Sequence, residues 1–106
     1  MLVHQFSKVG RLAMVSGNTR VNLDAPPFFT YSGFAIEPRG LNLFGLKRAG
    51  YSADTIRDLK QAYRFLFRSG LKLEEALTRI ETHIPTPETS HLVAFIRASR
   101  RGVARK

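Results

Sequence analysis

Valines recur every six residues at the start of the chain, at Val3, Val9, Val15 and Val21. Four positions after each comes a small residue (Ser7, Ala13, Thr19 and Ala25), so four consecutive hexads share one form. A period of six matches neither the 3.6 of a helix nor the 2 of a strand. Fixed-period repetition marks stacked architectures, and hexapeptide repeats mark a parallel β-helix. Each hexad makes one short flat side. Its valine points into a narrow interior, and the small residue lets the chain turn the next corner. Three hexads complete a coil in the prism form of this fold, so four make little more than one turn. A repeat of this kind buries its apolar face only against a neighbour. The chain is therefore expected to be the C-terminal part of a longer β-helix protein. The same valines would also suit a small sheet packed on helices.

The pattern changes after the fourth hexad. Pro26 and Pro27 lack amide donors and are expected to stop the ladder. Phe28, Phe29, Tyr31, Phe34 and Ile36 form an extended aromatic stretch suited to capping the open coil end. The β-to-α boundary is predicted at Pro38-Arg39-Gly40. Beyond it the apolar spacing becomes helical. Asn42 caps a short helix over 43–49 that ends at Gly50. Ser52 caps a helix over 53–69, whose Ile56, Leu59, Tyr63, Leu66 and Phe67 share one face. A third helix is predicted over 73–83, stopped by Pro85. Thr86, Pro87 and Glu88 open a fourth, with Leu92, Val93, Phe95 and Ile96 as its stripe, fraying beyond Gly102. The expected organisation is a terminal coil with capping strand over 1–41 and an α-helical domain over 42–106.

Composition narrows the classes. The chain has 106 residues and no cysteine, which excludes a disulfide framework and thiolate metal sites and agrees with a cytoplasmic setting. No apolar run reaches membrane-spanning length, and no signal-peptide pattern opens the chain. The net charge of +9 is uneven. Residues 1–41 carry four basic and two acidic side chains, whereas residues 42–106 carry thirteen and six. Arg97, Arg100, Arg101, Arg105 and Lys106 lie in the last ten residues without an acid. Such a face attracts phosphates, nucleic acid or an acidic protein; it also suits a solvated helix end. No helix presents Arg, Asn and Gln at base-reading positions, so a helix-turn-helix reader is disfavoured.

Besides the basic tail, two segments carry candidate chemistry. His4 and Gln5 follow the first inward valine and would lie on a coil face within reach of a ligand or a neighbouring subunit. Gly40 to Arg48 opens a helix, where free amides favour an anion, with Lys47 and Arg48 adding positive charge. His83 and His91 are isolated and read as surface residues. Neither a nucleophile elbow nor a His-Glu metal set is present.

Val3-His4-Gln5-Phe6, Val15-Ser16-Gly17, Asp24-Ala25-Pro26-Pro27-Phe28, Gly40-Leu41-Asn42 and Gly45-Leu46-Lys47-Arg48 together resemble the acyl-[acyl-carrier-protein]–UDP-N-acetylglucosamine O-acyltransferases. Ala62-Tyr63, Phe67-Arg68-Ser69-Gly70 and Ala98-Ser99-Arg100-Arg101-Gly102 extend the resemblance along essentially the whole chain, against the C-terminal part of that family. The resemblance implies a left-handed parallel β-helix followed by a small α-helical domain, assembled as a homotrimer with sites between subunits. It implies transfer of a hydroxyacyl chain from acyl carrier protein to the 3-hydroxyl of UDP-N-acetylglucosamine, the first step of lipid A biosynthesis. A histidine would act as general base, with no metal or redox cofactor. By position, His4 and Gln5 match residues near the acyl chain and sugar, Asn42 a residue of nucleotide binding, and Arg48 a residue holding the UDP group. The basic helical part would face the acidic acyl carrier protein. The general-base histidine belongs to an upstream coil, so His4 is not that residue and the chain alone is expected to be inactive. Phe44 stands where family members often have an acid, and Ala49 where they often have a second arginine. These departures leave open the nucleotide contacts and an amino-sugar acceptor. A non-catalytic docking module, another hexapeptide-repeat sugar acyltransferase and a nucleic-acid binder remain the alternatives.

Overall fold

The computed structural model describes residues 2, 3 and 7–105, and of Leu2 and Val3 the backbone only. Two turns of a parallel coil come first. Strand β1 (Leu2–Val3) pairs in parallel with β3 (Arg20–Val21), residue 2 opposite 20, an advance of eighteen residues or three hexads. The advance then shortens. Val9 lies opposite Ala25, and β2 (Met14–Val15) opposite Thr30 and Tyr31 of β4 (Phe29–Ser32), sixteen residues on. Arg20 lies opposite Ala35, fifteen residues on. The coil thus winds past the last hexad on shortened sides.

The prolines do not stop the ladder as expected. Parallel pairing resumes at β4, because Pro26 and Pro27 occupy a buried corner between the bridge at Ala25 and Phe29, where no ladder donor is needed. Gly10 passes close beneath this corner. A Cβ at Gly10 would lie 2.6 Å from the Pro27 nitrogen, so only glycine fits without displacing backbone.

The coil ends by reversal. β5 (Glu37–Leu41) returns antiparallel to β4, with Phe29 opposite Leu41 and Ser32 opposite Glu37. The predicted boundary at 38–40 therefore lies inside a strand, one whose edge position tolerates Pro38. Phe28, Phe29, Tyr31 and Ile36 are buried as a cap requires, while Phe34 at the reversal is exposed. The Tyr31 hydroxyl donates to the Pro26 carbonyl at 2.7 Å. Burial, and secondarily Tyr63, pushes its pKa well above the usual tyrosine value.

Four helices follow: α1 (Leu43–Arg48), α2 (Ala53–Phe67), α3 (Leu73–His83) and α4 (Pro87–Ala98). Ser52 accepts from the Thr55 amide to open α2, and Thr86 with Thr89 forms a reciprocal cap at α4. α2 stops two residues early because the Ser69 hydroxyl bonds the Phe65 carbonyl and accepts from the Leu71 amide, turning the chain before Gly70. The apolar stripes meet the capping strands in one continuous core. Phe29 packs edge-on to Tyr63 at 5.2 Å and to Phe67 at 5.6 Å between ring centroids.

The C-terminal tail is not a frayed helix. α4 ends at Ala98, and the chain returns to the coil, where Val103 forms a parallel bridge with Asp24. Arg101 donates to the Asn22 carbonyl at 3.1 Å. Arg105 donates to the carbonyls of Leu66 and Leu71, closing the C-terminal end of α2. Two cations of the expected solvated face are therefore built into the fold.

Candidate functional site

Two coil corners carry backbone that bulky side chains seldom adopt. Leu12 has φ 56° and Phe28 φ 77°. They lie sixteen residues apart, the advance of this part of the coil, and the Phe28 amide donates to the Arg11 carbonyl at 2.9 Å. The corners are therefore stacked. Asn42 clips both. Its amide donates to the Phe28 carbonyl at 2.9 Å, and its side-chain Nδ2 donates to the Leu12 carbonyl at 3.0 Å. Its Oδ1 accepts from the Gly45 amide at 3.1 Å, which opens α1. A Cβ at Gly45 would fall 2.4 Å from Asn42 Nδ2, so the glycine is part of the same fitting.

These bonds give Asn42 a structural role in addition to the one the resemblance implies. The residue is 6% exposed, its oxygen is engaged and one of its amide hydrogens is committed to the coil. It positions α1 on the corner. At the start of α1, where an anion is expected, Oδ1 holds one of the free amides, that of Gly45. A six-residue helix then puts Lys47 and Arg48 at its opposite end, where they complement the free carbonyls.

Arg48 and Lys47 are exposed, and neither makes an ion pair among the described residues. The Arg48 guanidinium lies 6.0 Å from the centroid of the Phe44 ring, itself 70% exposed. Asn42 and Arg48 thus share one short element, with an aromatic face between them in sequence. A guanidinium held this way offers its edge to a phosphate. His4 and Gln5 lie outside the described residues. Among those described, no cluster of His, Asp or Glu could hold a metal ion.

The remaining histidines separate. His83 is exposed and stacks near Phe65 at 6.2 Å. His91 is not the surface residue expected: its ring packs edge-on against Phe28 at 5.9 Å, with Nε2 buried and unbonded. The turn from α3 to α4 brings it under the strained corner, a placement its helical spacing does not signal.

Asp24 is the residue that sequence reasoning passed over. It is 2% exposed, and its carboxylate accepts from the Lys8 amide at 2.7 Å and the Ser99 hydroxyl at 2.6 Å. Its own backbone pairs with Gly102 and Ala104. One side chain thereby joins both coil turns and the tail. In sequence it shows as a lone acid inside the hexad ladder, at the start of the Asp24-Ala25-Pro26-Pro27-Phe28 stretch, with no role attached.

The comparisons agree with this architecture. The family model described as UDP N-acetylglucosamine O-acyltransferase, domain 2, matches residues 24–104. The acyl-[acyl-carrier-protein]–UDP-N-acetylglucosamine O-acyltransferase of Anaeromyxobacter sp. (strain K) is 46% identical over 103 residues, covering 96% of this chain and 40% of its own length. The protein of the same name from Myxococcus xanthus (strain DK1622) is 43% identical over 104 residues, covering 97% and 40%. The crystal structure of a UDP-N-acetylglucosamine acyltransferase from Bacteroides fragilis 9343 superposes with a TM-score of 0.94 at 40% identity, covering 98% of this chain and 41% of that one. The chain spans about two-fifths of the length of these relatives. It belongs to the UDP-N-acetylglucosamine O-acyltransferase family, of which it carries the C-terminal part: the last coils of a left-handed parallel β-helix and the α-helical region behind them.

Proposed function

We propose that the chain is the C-terminal portion of an acyltransferase that moves a hydroxyacyl group from acyl carrier protein to the 3-position of UDP-N-acetylglucosamine. The observation that carries this reading is the α1 clasp. Asn42 ties α1 to two stacked corners, and α1 presents Arg48, without an ion pair among the described residues, beside Phe44. In this reading Arg48 grips the diphosphate, and Asn42 acts by holding α1 in place. His4 and Gln5 line the cleft near the acyl chain and sugar. The basic helical region faces the acidic carrier protein. The whole enzyme works in the cytoplasm as a homotrimer, and the hydroxyl attacks the thioester without a metal or redox cofactor. The general base comes from an upstream coil, so the chain by itself binds but does not turn over.

NMR titration of the chain with UDP-N-acetylglucosamine and with acylated acyl carrier protein tests this. The expected result is saturable nucleotide shifts around Arg48, abolished by Arg48→Ala, and carrier-protein shifts on the helical region. Nucleotide shifts unchanged in Arg48→Ala would remove that residue from the site. An absence of any response to either molecule, from a folded chain, would overturn the proposed binding role.

A further inference from the structure

Far along the chain from Asn42 and Arg48, a cleft lies where the tail meets the coil. It has a volume of about 320 Å³ and is lined by Lys8, Asp24, Ala98, Arg100 and Arg101. Three cations from segments some ninety residues apart meet one acid there. We propose that this cleft binds a phosphate group, in a site that involves none of the residues of the nucleotide reading.

The cations are available. Lys8, Arg100 and Arg101 make no ion pair among the described residues. Asp24 forms the floor, and at 2% exposure it turns little carboxylate surface toward a ligand; its two oxygens accept from the Lys8 amide and the Ser99 hydroxyl. One buried negative charge against three cations leaves a net positive cleft. That matches an anion carrying close to two charges near neutral pH.

The site is also preorganised. The Asp24 amide donates to the Gly102 carbonyl at 2.9 Å, and the Ala104 amide donates to the Asp24 carbonyl at 2.8 Å. These bonds fasten the tail beside the coil. Arg101 uses Nε on the Asn22 carbonyl, which fixes the guanidinium and leaves its terminal nitrogens unused among the described bonds. Holding donors in place before binding lowers the ordering cost. A guanidinium fork matches phosphate oxygens bidentately, and an ammonium adds a point charge. The lining holds no aromatic ring, so nothing there stacks a base, which argues against a single-stranded nucleic acid.

Free phosphate and a lipid phosphate share this chemistry, and two arms separate them. In one, the chain is titrated with sodium phosphate, at ionic strength matched by sodium chloride, and followed by amide NMR. In the other, it is sedimented with phosphatidylcholine vesicles with and without phosphatidic acid. Saturable shifts at Lys8, Asp24 and 99–102 are expected with phosphate and not with chloride. Each of Lys8→Ala and Arg100→Ala should weaken binding about fivefold, the scale of one partly exposed charged contact. Neither side chain makes a hydrogen bond among the described residues, so the double variant should retain its amide spectrum, and Lys8→Arg should restore affinity. Sedimentation that requires phosphatidic acid and Arg100, without a response to free phosphate, would assign the site to a headgroup. Shifts reproduced by chloride, shifts centred on Lys47 and Arg48 instead, or a folded double variant that titrates like the parent would overturn the proposal.

Discussion

The coil and the helices hold themselves together by different means. Helix α2 is opened by Ser52 and α4 by Thr86, each on its own first turn, and each turns its apolar stripe into the core. The coil has no such autonomy. Among the described side chains its hexad valines are graded, with Val9 41% exposed, Val15 half-buried and Val21 fully buried. Each valine is covered only as far as a neighbouring turn, the cap or the helices reach it. A helix satisfies its backbone internally, whereas a coil side sends its amides and carbonyls to residues fifteen to eighteen positions away. The contrast teaches that the coil's weak points are its corners, where bonds from elsewhere hold unusual backbone.

The comparison breaks first at the Pro26-Pro27 corner. Gly10→Val should cost about 3 kcal/mol, since the added carbons meet backbone that cannot move aside. Chemical denaturation should show the midpoint falling for coil and helices together, because they share one core. A transition in which helical signal persists after the coil is lost would show two separable units.

Asn42 sharpens the comparison next. Asn42→Ala should cost about 2 kcal/mol, from the lost cap and the Leu12 carbonyl left without its donor. Asn42→Asp is the decisive variant. Asp caps a helix as well as Asn does, but its carboxylate faces the Leu12 carbonyl with no hydrogen to give. If coil clasping matters, Asn42→Asp should be as destabilising as Asn42→Ala in urea titrations; parity with the parent would reduce Asn42 to a simple cap.

Tyr31 gives a pH signature within the coil cap. Its raised pKa means that the folded state keeps the phenolic proton where the unfolded chain, at about 10, has lost it. This contribution is complete below that unfolded value and is lost as pH climbs toward the folded one. The urea midpoint should therefore fall between pH 9 and pH 11, a range set by that reference value. Tyr63, also raised chiefly by burial, contributes in the same direction. Tyr31→Phe should lower stability by about 1 kcal/mol at neutral pH, through the bond lost at the Pro26 carbonyl, and flatten the alkaline decline.

The smallest effect is expected on the helical side. Arg97 joins α4 to α3 through Glu81 and Glu74, and these bonds raise its already high pKa. The group is solvent-exposed, so Arg97→Ala should shift the midpoint only slightly, and the difference should vanish in concentrated salt. A large salt-independent loss would mean that this surface network is as important as the coil clasps.

Much of the helical region is legible residue by residue. Ser52 and Thr86 announce their caps, Pro85 ends α3, and the spacing of Leu59, Tyr63 and Leu66 selects the buried face. The hexads announce a parallel coil, and the eighteen-residue pairing of Leu2 with Arg20 is their direct product. The candidate site is less legible. Arg48 is singled out by the charge of the 40–48 segment and by the resemblance, but the sequence shows Asn42 as a cap and a resemblance match without its bond to Leu12, and nothing near Leu12 or Phe28 in sequence marks a left-handed corner.

By itself the sequence determined what short spacing encodes: the coil repeat, the helix starts and stops, the apolar faces and the excess of positive charge. Tertiary structure alone decided that the coil continues past its prolines and that Asn42 clips two corners. It also decided that Asp24 gathers Lys8 and Ser99 and that the tail joins the ladder. The reason lies in separation along the chain. Local signals act over a few residues, through dihedral preference and capping, and can be read in place. The bond from Asn42 to Leu12 spans thirty residues and that from Ser99 to Asp24 seventy-five. Such partners are chosen by the packing of whole elements, once burial leaves each polar group in need of one.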